Sequence, residues 1–420
     1  MKGLCIFEDG GYAGLLPLVY GRAAYELRLG MYTLLERILQ QYPGKTAISL
    51  FVREYLAGVL KERYPSYHIN TLDPDADGYL FINGRSLDLG HIPLDGKNEI
   101  GLCKGALVYA RLSKNNCQGL SSDFFVNNKP LKLEENPPVT HEVEVRLADY
   151  LWDIVKNNRA EVEKDCSAFK KNRIHGKVCE GVHILNPQGV FLGDGSKVKP
   201  GCVLDAEKGS IYIGQGVEIM PNAVIIGPAY IGKGSTILLG ARLREGANVG
   251  EGCKVGGEVS NSILHSYSNK QHDGFLGDSY IGSWVNIGAG TVTSNLKNTY
   301  GNVQAQLDRG DKTVDTKQMF FGAAIGDHTK IGINSSLDAG SHIGCHCSIT
   351  GREPIPKYLP PFSFVTDGGQ RVYNMRKAFI VASTAMARRE QIMSAAEEAM
   401  FRNLFALTAP KRKGMKKGNL

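Results

Sequence analysis

The stretch 260–278, SNSILHSYSNKQHDGFLGD, gathers Lys270, Gln271, His272 and Asp273 in one polar run. Histidine is the side chain whose ordinary pKa lies nearest neutrality, so His272 suits proton abstraction from an amine or a hydroxyl; a solvated, inert loop histidine is the plain alternative. A second set stands near the start. Arg22 and Arg28 lie six residues apart in LPLVYGRAAYELRLG, a stretch otherwise neutral or apolar apart from Glu26. Guanidinium forks suit phosphate oxygens, and pairing of Arg28 with Glu26 is the structural alternative. Both arginines follow an apolar segment, GLCIFE, and a loop with Gly10, Gly11 and Gly14. A strand, a Gly-containing loop and a helix can present free backbone N–H groups to phosphate, although this spacing is neither GxGxxG nor a Walker P-loop.

The elements that must position His272 announce themselves by period. Ile213, Ile219, Ile225, Ile231, Ile237, Leu243, Val249 and Val255 return every sixth residue, with Val217, Ala223, Ala229, Ser235, Ala241, Ala247, Cys253 and Val259 in the compact slot four residues later. The period resumes at Ile325, Ile331, Leu337, Ile343 and Ile349. Six is neither the helical 3.6 nor the strand's 2. It fits a coil of short strands with one inward aliphatic per side and three sides per rung, a hexapeptide-repeat left-handed parallel β-helix. Residues 260–278 read as a break in the repeat, a loop thrown out between rungs toward a neighbouring subunit.

At 420 residues the chain has room for two or three domains. The expected division is an α/β domain over 1–135, a linker and connecting helix over 136–178, the β-helix over 179–352, a Pro-rich exit and C-terminal helix over 353–408, and a basic tail over 409–420. Strand candidates in the first domain are TAISLF (46–51), GYLFING (78–84) and GALVYARL (105–112), and Leu34, Leu35, Ile38 and Leu39 mark an amphipathic helix. Val143, Leu147, Leu151, Ile154 and Val155 give residues 140–169 helical spacing, with Thr140 as N-cap. The nine cysteines are scattered, with no CxxC pair and no Cys/His cluster at zinc spacing, and read as reduced core residues of a cytoplasmic protein. No stretch of about 18 apolar residues exists, so no membrane span is expected. The formal charge of +7 is concentrated in the tail KRKGMKKGNL, and no nucleic-acid partner is expected.

The N-terminal third resembles the sugar-phosphate nucleotidyltransferases, and more closely a divergent GlmU-related group whose starts carry L-x-P-L, then Arg, then L-R-x-G. The matching residues are Leu15, Pro17, Leu18, Arg22, Leu27, Arg28 and Gly30. The resemblance implies a nucleotidyltransferase-like domain with Arg22 and Arg28 on nucleotide phosphates. It also implies Mg²⁺, but the strand that ends on a metal-binding Asp in that family reads YLFINGRSL here, with Asn83, Gly84 and Arg85 in place of the carboxylate, and no metal ligand is assigned.

Residues 180–350 resemble the acetyltransferase domain of the GlmU family, through ARLREGANVGEG (241–252) and HDGFLGDSYIGSWVNIGAGTVTSN (272–295). The resemblance implies an acetyl-CoA (or other acyl-CoA) donor and a homotrimer. His272 falls on the general base, Arg244 on a sugar-phosphate ligand, Asn286 on a sugar contact, Ala289 on a backbone contact to the acyl donor, and Asn295 on the Asn that enters a neighbour's site. Asn334 or Ile333 stands where the family has a CoA-contacting Ser, and Lys270 is the candidate for its phosphate-binding Lys. Phe275 replaces a substrate-binding Tyr, so the acceptor need not be the family's own. The expected function is acyl transfer from CoA to an amino sugar phosphate or nucleotide sugar. Two alternatives stay open: sugar-1-phosphate nucleotidyl transfer (a UDP- or dTDP-sugar pyrophosphorylase) in the first domain, and a catalytically silent nucleotide-sugar-binding scaffold.

Overall fold

The structure is a computed structural model and describes residues 2–44, 47–129, 138–169, 173–307, 313–351 and 354–417. In the first domain, seven strands lie in the order His68–Ile69, Ala47–Phe51, Lys2–Phe7, Gly78–Asn83, Ala106–Ser113, Glu99–Cys103, Val139–Glu142. The first four are mutually parallel and Ala106–Ser113 is antiparallel to both of its neighbours. Strand alternation divides the sheet's residues between two cores. Leu4, Ile6, Leu50 and Leu80 face one core, while Cys5, Phe7, Phe51 and Phe81 face the other, where Phe125 stacks on Phe7 at 4.3 Å between centroids.

The helix expected over 140–169 runs only from Leu151 to Ser167. Val139–Glu142 is instead an edge strand, because Glu99–Leu102 offers it a parallel partner. From Arg173 the chain coils into three faces. The first carries Ile213, Ile231 and Val249 inward, the second Ile219, Ile237 and Val255, and the third Ile225, Leu243 and Val259. This is the left-handed β-helix that the period of six implied.

Residues 260–278 are not a thrown-out loop. Ile263–Leu264, Asn269–Lys270 and Phe275–Gly277 continue the three faces with shortened corners. The repeat looked broken because Lys270 occupies an inward place on the second face, below Val255 and above Ile287. The Pro-rich segment expected as an exit is the last rung: Tyr358–Leu359 pairs with His342–Ile343, and Ser363–Thr366 with Ser348–Ile349. The C-terminal helix is two helices, Met375–Ala387 and Ala395–Leu407, capped by Asn374 and Ser394. Part of the basic tail is ordered, since Lys416–Lys417 pairs with Arg371–Val372; residues 418–420 lie outside the described residues.

The two domains share one core. Leu18, Tyr25 and Trp152 of the first part pack in the same cluster as Ile263, Tyr280, Phe321 and Phe362 of the coil. The excursion after Asn295 belongs to this seam: Gln304–Ala305 and Val314–Asp315 form a hairpin, Val303 and Ala305 are buried, and Gln318 Nε2 donates to Trp152 O at 3.2 Å.

Candidate functional site

The edge between the second and third faces is where three of the expected residues meet. His272 and Asp273 form one corner, Ala289 the next and Asn334 the one after. The corners are tied rung to rung: Gly290 N donates to Asp273 O at 3.0 Å, and Asn334 N donates to Ala289 O at 2.7 Å. Asn334 takes the left-handed conformation (φ +54°) that such a corner requires, which asparagine tolerates better than most side chains. His272 is exposed, and among the described residues the Ala289 N–H has no hydrogen-bond partner.

Lys270 fixes this corner from within. Its side chain is 1% exposed, inside the coil, and its Nζ donates to His272 O at 2.7 Å. Burial pushes its pKa down to about 8, against the pull of Asp273 and with help from Arg242. A side chain turned into the coil cannot bind a substrate phosphate on the surface, so the expected ligand role of Lys270 is replaced by support of the His272 loop.

Asn286 projects from the second face, beside Asn269 and Lys330 on adjacent rungs. It lines a cavity of about 460 Å³, roofed by the helix Met375–Ala387, that reaches Gln271, the residue before His272. Arg244 and Asn295 lie elsewhere, on the edge between the third and first faces. Arg244 Nη1 pairs with Glu258 Oε1 at 3.3 Å, and Asn295 Nδ2 donates to Asp278 Oδ2 at 2.7 Å. Burial raises the Asp278 pKa, partly offset by the hydrogen bonds from Asn261 and Asn295. Within one chain, then, His272, Ala289, Asn334 and Asn286 come together, while Arg244 and Asn295 lie across the third face.

Arg22 and Arg28 are not poised for a phosphate. Arg22 Nη2 donates to Asp327 Oδ1 at 2.6 Å and to Ser283 Oγ at 3.1 Å, clamping the first domain to the coil. Arg28 is buried; its Nη1 donates to Met31 O at 2.5 Å, and its backbone N–H donates to Tyr280 Oη at 2.7 Å. The side-chain partners of Arg22 lie far along the sequence, as does the Tyr280 hydroxyl that the Arg28 backbone meets, while the Arg28 guanidinium is held locally by Met31 O.

The first domain has a cavity of its own, about 650 Å³, beyond the carboxyl ends of its parallel strands, where open α/β sheets bind ligands. At its base Arg85 grips Asp9 with two bonds, Nε to Oδ1 at 2.6 Å and Nη2 to Oδ2 at 2.8 Å, and Asn83 Nδ2 donates to Oδ2 at 2.9 Å. Asp9 and Arg85 were not singled out as a pair from sequence; an Asp after the first strand and an Arg after the fourth parallel one are the signal. The residues do not fit Mg²⁺: among the described residues Asp9 is the only carboxylate lining this cavity, and it is already held by the Arg85 guanidinium, which also pairs with Asp149 Oδ1 at 3.0 Å. Among the described residues no group of three His, Cys, Asp or Glu is arranged to hold a metal.

A family model described as sugar nucleotidyl transferase matches residues 4–174. Bifunctional protein GlmU of Bartonella quintana (strain Toulouse) is 27% identical over 283 residues, 62% of this chain and 57% of that protein. Bifunctional protein GlmU of Synechococcus sp. (strain CC9902) is 34% identical over 184 residues, 42% of this chain and 35% of that protein. The chain thus spans about half the length of the first curated relatives it matches. A solved structure, UDP-N-acetylglucosamine acyltransferase from Campylobacter jejuni, is 11% identical, covering 58% of this chain and 100% of its own, with a TM-score of 0.30, too loose a superposition to bear on function. Taken together, these matches make the chain similar to the GlmU proteins, and its residues 4–174 match the sugar nucleotidyl transferase family model.

Proposed function

We propose that the chain transfers an acetyl or other acyl group from CoA to the amine of an amino sugar phosphate or nucleotide sugar, at the edge that carries His272. The observation that carries this reading is the stacking of an exposed His272, an Ala289 N–H without a partner among the described residues and Asn334 on consecutive rungs, beside a cavity lined by Asn286. Acyl-CoA supplies the thioester, and Ala289 and Asn334 line the edge along which it would lie. His272 takes the proton from the amine as its nitrogen bonds to the thioester carbon. The Ala289 N–H stabilises the oxyanion that develops. The C–S bond then breaks, and the proton held by His272 returns to the departing thiolate. Asn286 orients the sugar.

The assembly that suits this site is a homotrimer. The first domain covers the first face through Arg22 and Tyr280, and the helix Met375–Ala387 covers part of the second. The third face stays open, with Arg242, Val292 and Ser336 exposed along it. Packing that face against a neighbour would bring a second chain's Arg244 and Asn295 toward the His272 edge. A reducing, cytoplasmic setting suits nine cysteines that are all free, Cys253 and Cys347 having thiols pushed up to about 12 by burial. No helix of the described residues is long and apolar enough to cross a membrane.

A second reading, nucleotidyl transfer in the first domain, is favoured by the 650 Å³ cavity with Lys104 and Lys129 at its wall, and disfavoured by the guanidinium of Arg85 on Asp9. Melting curves separate the two. A ligand bound only by the folded chain at about 100 times its Kd adds roughly 2.7 kcal/mol. CoA and acetyl-CoA are expected to raise the melting temperature. A rise with UTP or dTTP alone would move the chemistry to the first domain, and no rise with any ligand would favour the silent scaffold.

A further inference from the structure

The cavity under the helix Met375–Ala387 has a composition that the acyl-transfer reading does not use. Its walls carry Lys254, Lys330, Arg388 and Arg389, and among the described residues no carboxylate lines it. Arg389 is spent on the fold: it donates to Gly252 O at 3.0 Å and Asn269 Oδ1 at 2.7 Å, pinning the end of the helix to the second face. The other three are uncommitted as ions. Among the described residues none of them has an acidic partner within salt-bridge distance.

Lys330 is the most telling of the three. Its ammonium donates to Trp284 O at 2.5 Å and has no other hydrogen-bond acceptor among the described residues. Burial alone pushes its pKa down to about 8. An ammonium has three donors, and a desolvated one is costly unless an anion or further acceptors complete it. Three cations lining one cavity, with the amides of Gln271 and Asn286 beside them, are a charge pattern that a multivalent anion satisfies.

We infer that this cavity is a binding site for a phosphate- or diphosphate-bearing ligand, held by Lys254, Lys330 and Arg388. The C-terminal helix supplies Arg388 and closes the roof, so phosphate recognition depends on an element outside the repeats. The inference rests on the acyl-transfer reading only for the ligand's reacting end: Gln271 lines the cavity and His272 follows it in the chain, so a ligand anchored here by phosphate directs its other end to the His272 edge. Two substrates of that reaction bring such phosphates, the nucleotide end of CoA and the phosphorylated sugar.

The test is calorimetric titration of the full-length chain with inorganic pyrophosphate, with no acyl donor present, so that it stands apart from whether His272 catalyses anything. The intact chain is expected to bind at micromolar to millimolar concentration. The double variant K254A/R388A changes two side chains with no ion pair to lose; it is expected to bind about tenfold more weakly or worse. Arg402→Ala, whose guanidinium pairs with Glu398 outside the cavity, controls for net charge and is expected to bind as the parent does. Parallel titrations with CoA and with a sugar 1-phosphate name the source. A loss confined to CoA assigns the cavity to the donor, a loss confined to the sugar phosphate assigns it to the acceptor, and either supports the site. Unchanged pyrophosphate affinity in the double variant, or no pyrophosphate binding to the intact chain at millimolar concentration, would overturn it.

Discussion

Two edges of the same coil are built on the same corner geometry and put to opposite uses. Along the edge between the first and second faces, Gly216, Gly234 and Gly252 hold the left-handed corner in the early rungs, and Tyr267, Trp284, His328, His346 and Phe362 hold it in the later ones, with φ from +52° to +65°. Five non-glycine residues in that region are strained individually. They are offset by stacking: Tyr267 on Trp284 at 4.4 Å, His328 on His346 at 4.7 Å, and His346 on Phe362 at 5.0 Å. Phe379 and Phe401 of the two C-terminal helices meet His346 edge-on and seal the ladder. Along the edge between the second and third faces the corners instead stay open and polar at His272, Ala289 and Asn334. Histidine type alone therefore says nothing about chemistry. Burial makes His346 part of a core, while exposure and a supporting lysine make His272 a candidate base.

The largest effect should come from unfastening the sealed side. Arg22→Ala leaves Asp327 buried without its cation, next to His328 in the ladder, and is expected to cost about 3–5 kcal/mol in denaturant unfolding. A loss below about 1 kcal/mol would mean that the domains hold together without this clamp.

Acid should act next, on the buried histidines. Burial holds His346 at about 3 and His342 at about 4, and pushes His328 and His265 well below the ordinary value near 6.5. The unfolded chain takes up protons that these folded histidines refuse. Stability is therefore full above about pH 6.5 and falls as pH drops toward the folded values, by roughly 1.4 kcal/mol per pH unit for each histidine. His346→Phe keeps the stack and is expected to flatten that slope between pH 6 and 4; an unchanged slope would place the acid sensitivity elsewhere.

On the open edge, Lys270→Met keeps an unbranched chain inside the coil but releases the His272 carbonyl. Melting is expected to change little, while acyl transfer falls about tenfold through looser placement of His272. Equal rates in variant and parent would deny Lys270 its supporting role. The smallest stability effect is expected for Arg244→Ala, under about 0.5 kcal/mol, because its pair with Glu258 is half exposed. In a trimer, however, it should raise the KM for a phosphorylated acceptor.

The coil was legible because inward aliphatics at a fixed period have one geometric explanation. Legibility failed where a polar side chain took an aliphatic's place, as at Lys270, or where prolines masked the last rung around Leu359 and Val365. Strands over 46–51, 78–84 and 105–112 were readable from their apolar runs, but the pairing that makes Val139–Glu142 a strand is not local. Arg22 and Arg28 illustrate the limit for sites. A phosphate-binding arginine and one that closes an interdomain seam have the same neighbours in sequence, and only the fold brings Asp327 to Arg22. The cavity beside Asn286 was invisible for the same reason, since its roof comes from residues 380–389.

The most direct measurement of the central claim is thiol release from acetyl-CoA by the intact chain, with amino sugar phosphates and amino nucleotide sugars as acceptors, compared with folded His272→Ala. Acceptor-dependent release that falls by about 10²–10⁴-fold in the variant is the expected result. Release that persists at the parent's rate in His272→Ala, or that never depends on an amine acceptor, would contradict it.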